Sequence, residues 1–347
     1  MEWAIKKIQD LCTYTSSTPS TLMTLPPITV NTTTLLKEKP IVSIKCSSCT
    51  LPCSSHTNIP THLNIDQSRP LHNTVPSYAL HLIIFTGHTS WPGHLEDESF
   101  TGELIRCLDQ KKKKEKNTSS SSTNHRKKEN TFHLYDYMNN NTKSDPLSST
   151  LLSSSSHQRV LVTNSSLPSV YSTGGGSYDI LLLPDNVMIT NVTRKKISMF
   201  VDFIFGQPIH STFDVRPSPW DQLILICGHQ KKDKRCGTIG PLLQRSFENI
   251  IQQQQQNKKF QTTNQNIQVM LVSHLGGHAF AGNVVLYTHH GLRAIWYGRV
   301  TPCQCEDIIN HSLNKDQVLQ QHLRGILQVG EDRYDTPLTP IPSSLEW

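Results

Sequence analysis

"LILICGHQKKDKRCGTIGP", residues 223–241, decides how this chain is read. Leu223 to Ile226 form an apolar run that ends on Cys227 and Gly228, the pattern of a buried strand stopped by a turn. A charged loop of Lys231, Lys232, Asp233, Lys234 and Arg235 leads to Cys236. "GPLLQRSFENIIQQQQQN" then reads as a helix with Pro241 in its first turn, where a missing N–H costs little. Two cysteines at the ends of one polar loop fit a structural disulfide, or two ligands of a metal site that needs two more. The chain has nine cysteines, an odd number, and "MEWAIKKIQDLCTYTSS" at its start lacks a secretory hydrophobic core. Metal or redox chemistry is therefore favoured over a disulfide framework.

Working outward, "IQVMLVSHL" (267–275) is a strand, "GGHAFAGN" a Gly-rich loop, and "VVLYTHHGLRAIWYG" two strands around Gly291. "TPCQCEDIINHSL" is a helix with Thr301 as N-cap and Pro302 at its first position. The order β-α-β-β-β-α predicts an α/β layer domain over 207–330, thioredoxin-like in outline. Before it, "YALHLIIFTG" (78–87) is a strand and "EDESFTGELIRCLDQ" (96–110) a helix. "RVLVTNSS" and "YDILLLPDNVMIT" are strand-like, and "RKKISMFVDFIF" is helical. These define a related or degenerate α/β domain over 41–206. "HLIIFTG" aligns without gaps with "QLILICG", Thr86 falling on Cys227, so an N-terminal copy would lack that cysteine.

Composition bounds the rest. A hydrophobic fraction of 35% over 347 residues is low, so part of the chain is expected to be disordered. Residues 1–40 read as loose, and 331–347 as an extended tail. The Lys-, Ser- and Asn-rich stretch 111–157 reads as a disordered insertion. Residues 111–129 carry eight basic residues against two acidic ones, which equals the +6 of the whole chain. Such a run is a solvated segment, and it argues against specific nucleic-acid binding. No apolar run approaches the roughly 20 residues of a membrane helix, so no membrane partner is expected.

The missing ligands have a candidate source. In "SHLGGHAFAGN", His274 and His278 are spaced H-x3-H at a strand end and in a loop. Gly276 and Gly277 between them let backbone wrap closely round a bound object. Loops at the same strand ends of an α/β sheet meet at one edge. Cys227, Cys236, His274 and His278 suit a tetrahedral Zn²⁺, or a [2Fe–2S] cluster with thiolates on one iron and imidazoles on the other. His229 is a competing ligand or, by preference, a donor to a ligand sulfur.

"CGHQKKDKRCGTIGPLL", "SHLGGHAFAGNVVLY" and "IWYGRVTP" together resemble the sucrase/ferredoxin-like family of fungi and plants. The resemblance covers most of 207–330 and extends to the first half through "HLIIFTGHTSWP" and "LLLPDN". It implies a thioredoxin-like ferredoxin whose [2Fe–2S] cluster is held by Cys227, Cys236, His274 and His278. Ala279 departs from the family pattern, which often has a basic residue there. The expected function is electron transfer rather than stand-alone catalysis, with the basic loop steering an acidic redox partner protein. The alternatives are a thiol–disulfide oxidoreductase without a cluster and a structural zinc protein. No carboxylate pair suited to sugar hydrolysis is evident.

Cys46, Cys49, Cys53 and His56 form C-x2-C-x3-C-x2-H, read as a cysteine-rich loop or dithiol before a second metal site. Cys303 and Cys305 read as buried or incidental thiols. Leu345, Glu346 and Trp347 read as a recognition peptide. They resemble the C-terminal signal of clients of the cytosolic iron–sulfur assembly machinery. Glu2 and Asp10 suit a mitochondrial presequence poorly, so the cytoplasm is expected, with mitochondria as the alternative.

Overall fold

The computed structural model describes residues 57–119, 159–207, 209–256 and 266–328. Their order is β1 (Leu80–Phe85), α1 (Ser99–Ser119), β2 (Val160–Ser165), β3 (Ser177–Leu183), β4 (Val187–Thr193), α2 (Ile197–Ile204) and β5 (Asp214–Pro217). Then come β6 (Gln222–Cys227), α3 (Lys234–Gln256), β7 (Ile267–Val272), β8 (Val284–Thr288), β9 (Arg293–Tyr297), α4 (Cys305–Asp307) and β10 (Leu323–Gln328). A π-helical stretch, Ile308–Leu313, continues α4.

All ten strands form one mixed sheet, ordered β10-β9-β8-β6-β7-β2-β1-β3-β4-β5. The order contains one arrangement twice. β1 pairs parallel with β2 and antiparallel with β3, which pairs antiparallel with β4. β6 pairs parallel with β7 and antiparallel with β8, which pairs antiparallel with β9. The two sets join where Ser165 of β2 faces Val272 of β7. Reciprocal bonds flank that pair, from Ser166 N–H to the Leu271 carbonyl and from Ser273 N–H to the Asn164 carbonyl. The last in-register residues of the two parallel pairs are Phe85 and Cys227. Phe85 rather than Thr86 therefore stands where Cys227 stands, one residue away from the ungapped sequence match.

The central strands are apolar on both faces, as strands buried between layers must be. Every residue of β1 and of β6 is buried. One core joins β1 and β3 to Phe100, Leu104 and Leu108 of α1 and Phe200 and Phe203 of α2. A second runs from Ile83 and Phe85 through β6–β9 to Ile239, Leu243 and Phe247 of α3. Each such side chain contributes roughly 1.5–3 kcal/mol when fully buried. A polar network crosses between the halves within this packing. His81 bonds Tyr287 Oη through Nδ1 and Thr163 Oγ1 through Nε2, both at 2.9 Å. Tyr78 Oη lies 2.7 Å from Tyr287 Oη and accepts from Trp296 Nε1 at 3.2 Å. Burial pushes the His81 pKa down to about 3, so its ring is neutral.

Two helix boundaries and two edge strands differ from expectation. α1 runs through Lys111 to Ser119, past the expected start of the insertion. Lysine is a good helix former, and Lys111 Nζ reaches Asp202 of α2 at 2.6 Å. The expected N-terminus of α3 near Gly240 moves back to Lys234, because Asp233 Oδ1 accepts the Arg235 N–H at 2.9 Å as a cap. Pro241 therefore lies inside the helix, and Cys236 in its first turn rather than in a loop. β5 and β10 are edge strands whose short, mixed sequences gave no alternation to read.

Candidate metal centre

The site grows from the C-terminal end of β6. Cys227 is the last residue of that strand and Cys236 lies in the first turn of α3, both almost wholly buried. Gly240 permits the close approach of helix to strand, since a Cβ there would come within 2.7 Å of the Cys227 carbonyl oxygen. The two thiols are neighbours, the Cys236 thiol donating toward the Cys227 sulfur. The Cys236 thiol, the His274 ring and the Leu275 N–H hold the Cys227 thiol well below its usual range, although burial opposes them. The negative Cys227 sulfur and burial push the Cys236 thiol up. The pair is thus poised as one thiolate and one thiol donor, at a helix N-terminus that favours negative charge.

The second pair comes from the loop after β7. The rings of His274 and His278 are 5.7 Å apart, tilted by 38°. His274 is half-buried and His278 exposed, so this side of the site faces solvent while the cysteine side faces the core. His274 Nδ1 is buried and has no hydrogen-bond partner among the described residues, so it is an available donor atom for a metal. A cavity of about 290 Å³ opens beside His274 and His229, with Lys232, His94 and Arg159 also on its walls.

His229 acts through backbone rather than through a sulfur. Its Nδ1 accepts the His274 N–H at 3.2 Å, so its Nε2–H donates to the Pro92 carbonyl at 2.7 Å. With both nitrogens engaged, His229 orients His274 and does not compete as a ligand. Trp91 packs edge-on against its ring at 5.8 Å, so the "SWPG" loop of the first half buttresses the site of the second.

Two residues that sequence reasoning missed hold the Gly loop. Arg324 of β10 is buried, and its Nη1 donates to the Gly276 carbonyl at 3.2 Å and to Asn283 Oδ1 at 2.8 Å. Its Nη2 and Nε bond the carbonyl and hydroxyl of Thr74. Asn283 donates from Nδ2 to the Gly277 carbonyl, and its own carbonyl accepts the Cys227 N–H, both at 3.0 Å. Gly277 has φ +69°, and a Cβ there would collide with the Arg324 guanidinium. A lone arginine among the apolar residues of "LRGIL" was the available signal, since a buried charge demands partners.

The charged loop is less basic than its sequence. Arg235 pairs with Asp233 at 2.8 Å and also reaches the Asn64 carbonyl, leaving Lys231, Lys232 and Lys234 exposed. Cys305 is buried, its thiol pushed up by burial and donating to the Thr301 carbonyl. Among the described residues, no three His, Cys, Asp or Glu side chains converge on one point. Cys303 is half-buried. Cys46, Cys49, Cys53, His56 and the Leu345–Glu346–Trp347 motif lie outside the described residues.

Residues 71–325 match the sucrase/ferredoxin-like family, and the chain belongs to that family. It is similar to Altered inheritance of mitochondria protein 32 of Meyerozyma guilliermondii, 29% identical over 185 residues, covering 48% of this chain and 62% of that protein. The protein of that name from Clavispora lusitaniae is 39% identical over 103 residues, 30% of this chain and 34% of its own. Actin patches distal protein 1 of Saccharomyces cerevisiae is 29% identical over 133 residues, 38% of each chain. The chain thus spans less than two thirds of these relatives' length. No solved structure matches. Among the described residues, no helix is long and apolar enough to cross a membrane.

Proposed function

We propose that this chain is an electron-transfer protein that holds a [2Fe–2S] cluster on Cys227, Cys236, His274 and His278, in a thioredoxin-like half of the sheet. The observation that carries the reading is the pairwise arrangement: two touching buried thiols, and two neighbouring imidazoles, one with an orphaned buried nitrogen. A single tetrahedral ion asks for three or four side chains converging on one point, whereas a two-iron centre asks for a pair at each iron. When bound, such a cluster takes up and returns single electrons at a potential raised by its two neutral ligands. The protein's own part is to bury the cysteine side, to expose His278, and to hold His274 through His229. Lys231, Lys232 and Lys234 present a positive rim to an acidic redox partner.

Membership of the sucrase/ferredoxin-like family supports the cofactor. One observation favours a second reading, a thiol–disulfide oxidoreductase: Cys227 is a stabilised thiolate touching Cys236. Exchange needs an accessible sulfur, and these cysteines are 2% and 1% exposed, which weighs against it. The deciding experiment is visible absorption, reduced-state EPR and metal analysis of the purified chain. Iron, sulfide and a reduced-state signal are expected. A colourless product, metal-free or carrying only zinc, overturns the proposal.

Leu345, Glu346 and Trp347 are proposed to engage the cytosolic iron–sulfur assembly machinery. Trp347→Ala then lowers cluster occupancy in cells while reconstitution in vitro stays normal, and full occupancy in cells counts against it. The cytoplasm is the proposed location. Relatives named for the inheritance of mitochondria keep a mitochondrial link as the alternative, which fractionation of cells separates.

A further inference from the structure

Arg324 is a buried cation without a buried acid. It is 1% exposed, and among the described residues no carboxylate lies within ion-pairing distance of it. The other deeply buried arginine, Arg293, is paired with Asp316. Arg69 and Arg299, which with Arg324 surround the Phe280 ring at 5.2–5.6 Å, both engage Asp66. Burial lowers the Arg324 pKa to about 10, and what opposes that shift is the cysteine side of the site, Cys227 first. A buried ion costs several kcal/mol unless an opposite charge and hydrogen bonds offset it. Carbonyls, a hydroxyl, an amide and two rings surround this guanidinium, and Asn283 links it to the cysteine side, its Oδ1 accepting from Nη1 and its backbone carbonyl accepting the Cys227 N–H.

We propose that Arg324 is the fixed positive charge of the redox site: it balances the cysteine side and, through Asn283 and Gly276, holds the histidine loop, and so raises the reduction potential of the centre. This rests on the cluster reading and adds what tunes it. Each electron accepted adds one negative charge to the site. A buried cation in fixed position, screened far less than the surface lysines, stabilises the reduced state more than the oxidised one. The two roles separate by substitution. Arg324→Lys keeps the charge and loses the planar fork, whereas Arg324→Gln keeps hydrogen bonding and loses the charge.

The test is redox titration of the purified, cluster-bearing protein, followed by absorption and EPR, with a one-electron reductant such as dithionite. Arg324→Gln is expected to weaken reduction by about tenfold, a fall of about 59 mV for one electron. Arg324→Lys should stay near wild type in potential while its EPR line shape broadens as the loop loosens. Equal potentials for the two variants, or loss of the cluster from both alike, assigns Arg324 to holding the loop only and overturns the electrostatic role. A wild-type chain without a cluster instead sinks the reading beneath it, so the two failures are distinct.

Discussion

The two halves of the sheet are built alike and equipped differently. Each places a buried first strand beside a parallel second strand, with a helix of 21 or 23 residues between them. At the end of the first strand one half has Phe85, stacked on Trp220 at 5.7 Å, and the other has Cys227. After the second strand one half has "SLPSVYSTGGG", organised by Asp179, which accepts from Val170 N, Tyr171 N and Ser172 Oγ. The other has "SHLGGHAFAGN", organised by Arg324 and Asn283. The same strand ends thus carry packing in one half and the candidate ligand side chains in the other. The first half still serves the candidate site, since its Trp91–Pro92 loop supports His229.

The sharpest way to break that contrast is at the equivalent pair. Cys227→Ser is expected to abolish iron binding, read as near-complete loss of visible absorption and iron per chain. His278→Cys should keep the cluster and lower its potential, because a thiolate adds negative charge where a neutral ring stood. Retention of full iron by Cys227→Ser would remove Cys227 from the ligand set. An unchanged potential and EPR spectrum in His278→Cys would do the same for His278.

Phe85→Ala addresses the other half. It deletes a ring that is 3% exposed, and should cost about 3–5 kcal/mol in urea unfolding. Iron per folded molecule should stay at the wild-type level. A stability loss below about 1 kcal/mol, or a selective loss of iron, would contradict a purely packing role for Phe85.

Much of this was legible because two patterns are local. Apolar runs ending in Gly or Cys mark β1 and β6, and C-x8-C with H-x3-H marks the four candidate side chains within short segments. What was not legible depends on distance. Arg324 lies in an edge strand far along the chain from Gly277, and only the three-dimensional crossing of β10 past the histidine loop brings them together. Asn283 looked like the end of a Gly-rich loop, although its backbone and side chain together link Cys227, Gly277 and Arg324. The partners of His229 were not legible for the same reason: Pro92, which fixes its tautomer, belongs to the other half.

His81 sharpens the comparison at the seam, where it bonds groups of both halves. Its folded pKa of about 3 lies below the unfolded value of about 6.5. The unfolded chain therefore binds the proton first, and this contribution to stability is lost as pH falls from about 6.5 towards 3. Between about pH 7 and about pH 4.5 the loss from this group is about 2–3 kcal/mol. His81→Gln should be less stable at neutral pH but show a smaller acid-induced drop in its urea midpoint. Parallel pH profiles for the two proteins would mean that His81 does not report the seam.

The smallest effect is expected where the halves differ most in length. The connection from α1 to β2 runs from 120 to 159, whereas the equivalent connection from α3 to β7 runs only from 257 to 266. Both join the end of a long helix to the start of the second strand of a half. If the halves share one architecture, the short connection is long enough for either. Replacing 120–158 by "NKKFQTTNQ", residues 257–265, should then change stability by no more than about 0.5 kcal/mol and leave iron content and potential as they are. The cut belongs after Ser119 rather than at 111, because Lys111 is tied to Asp202 within the α1–α2 packing. Cutting at 111 should therefore cost measurably more than cutting at 120. Equal stability of the two deletions would mean that the last turns of α1 contribute nothing, and insoluble protein from the later cut would mean that the long connection is part of the fold.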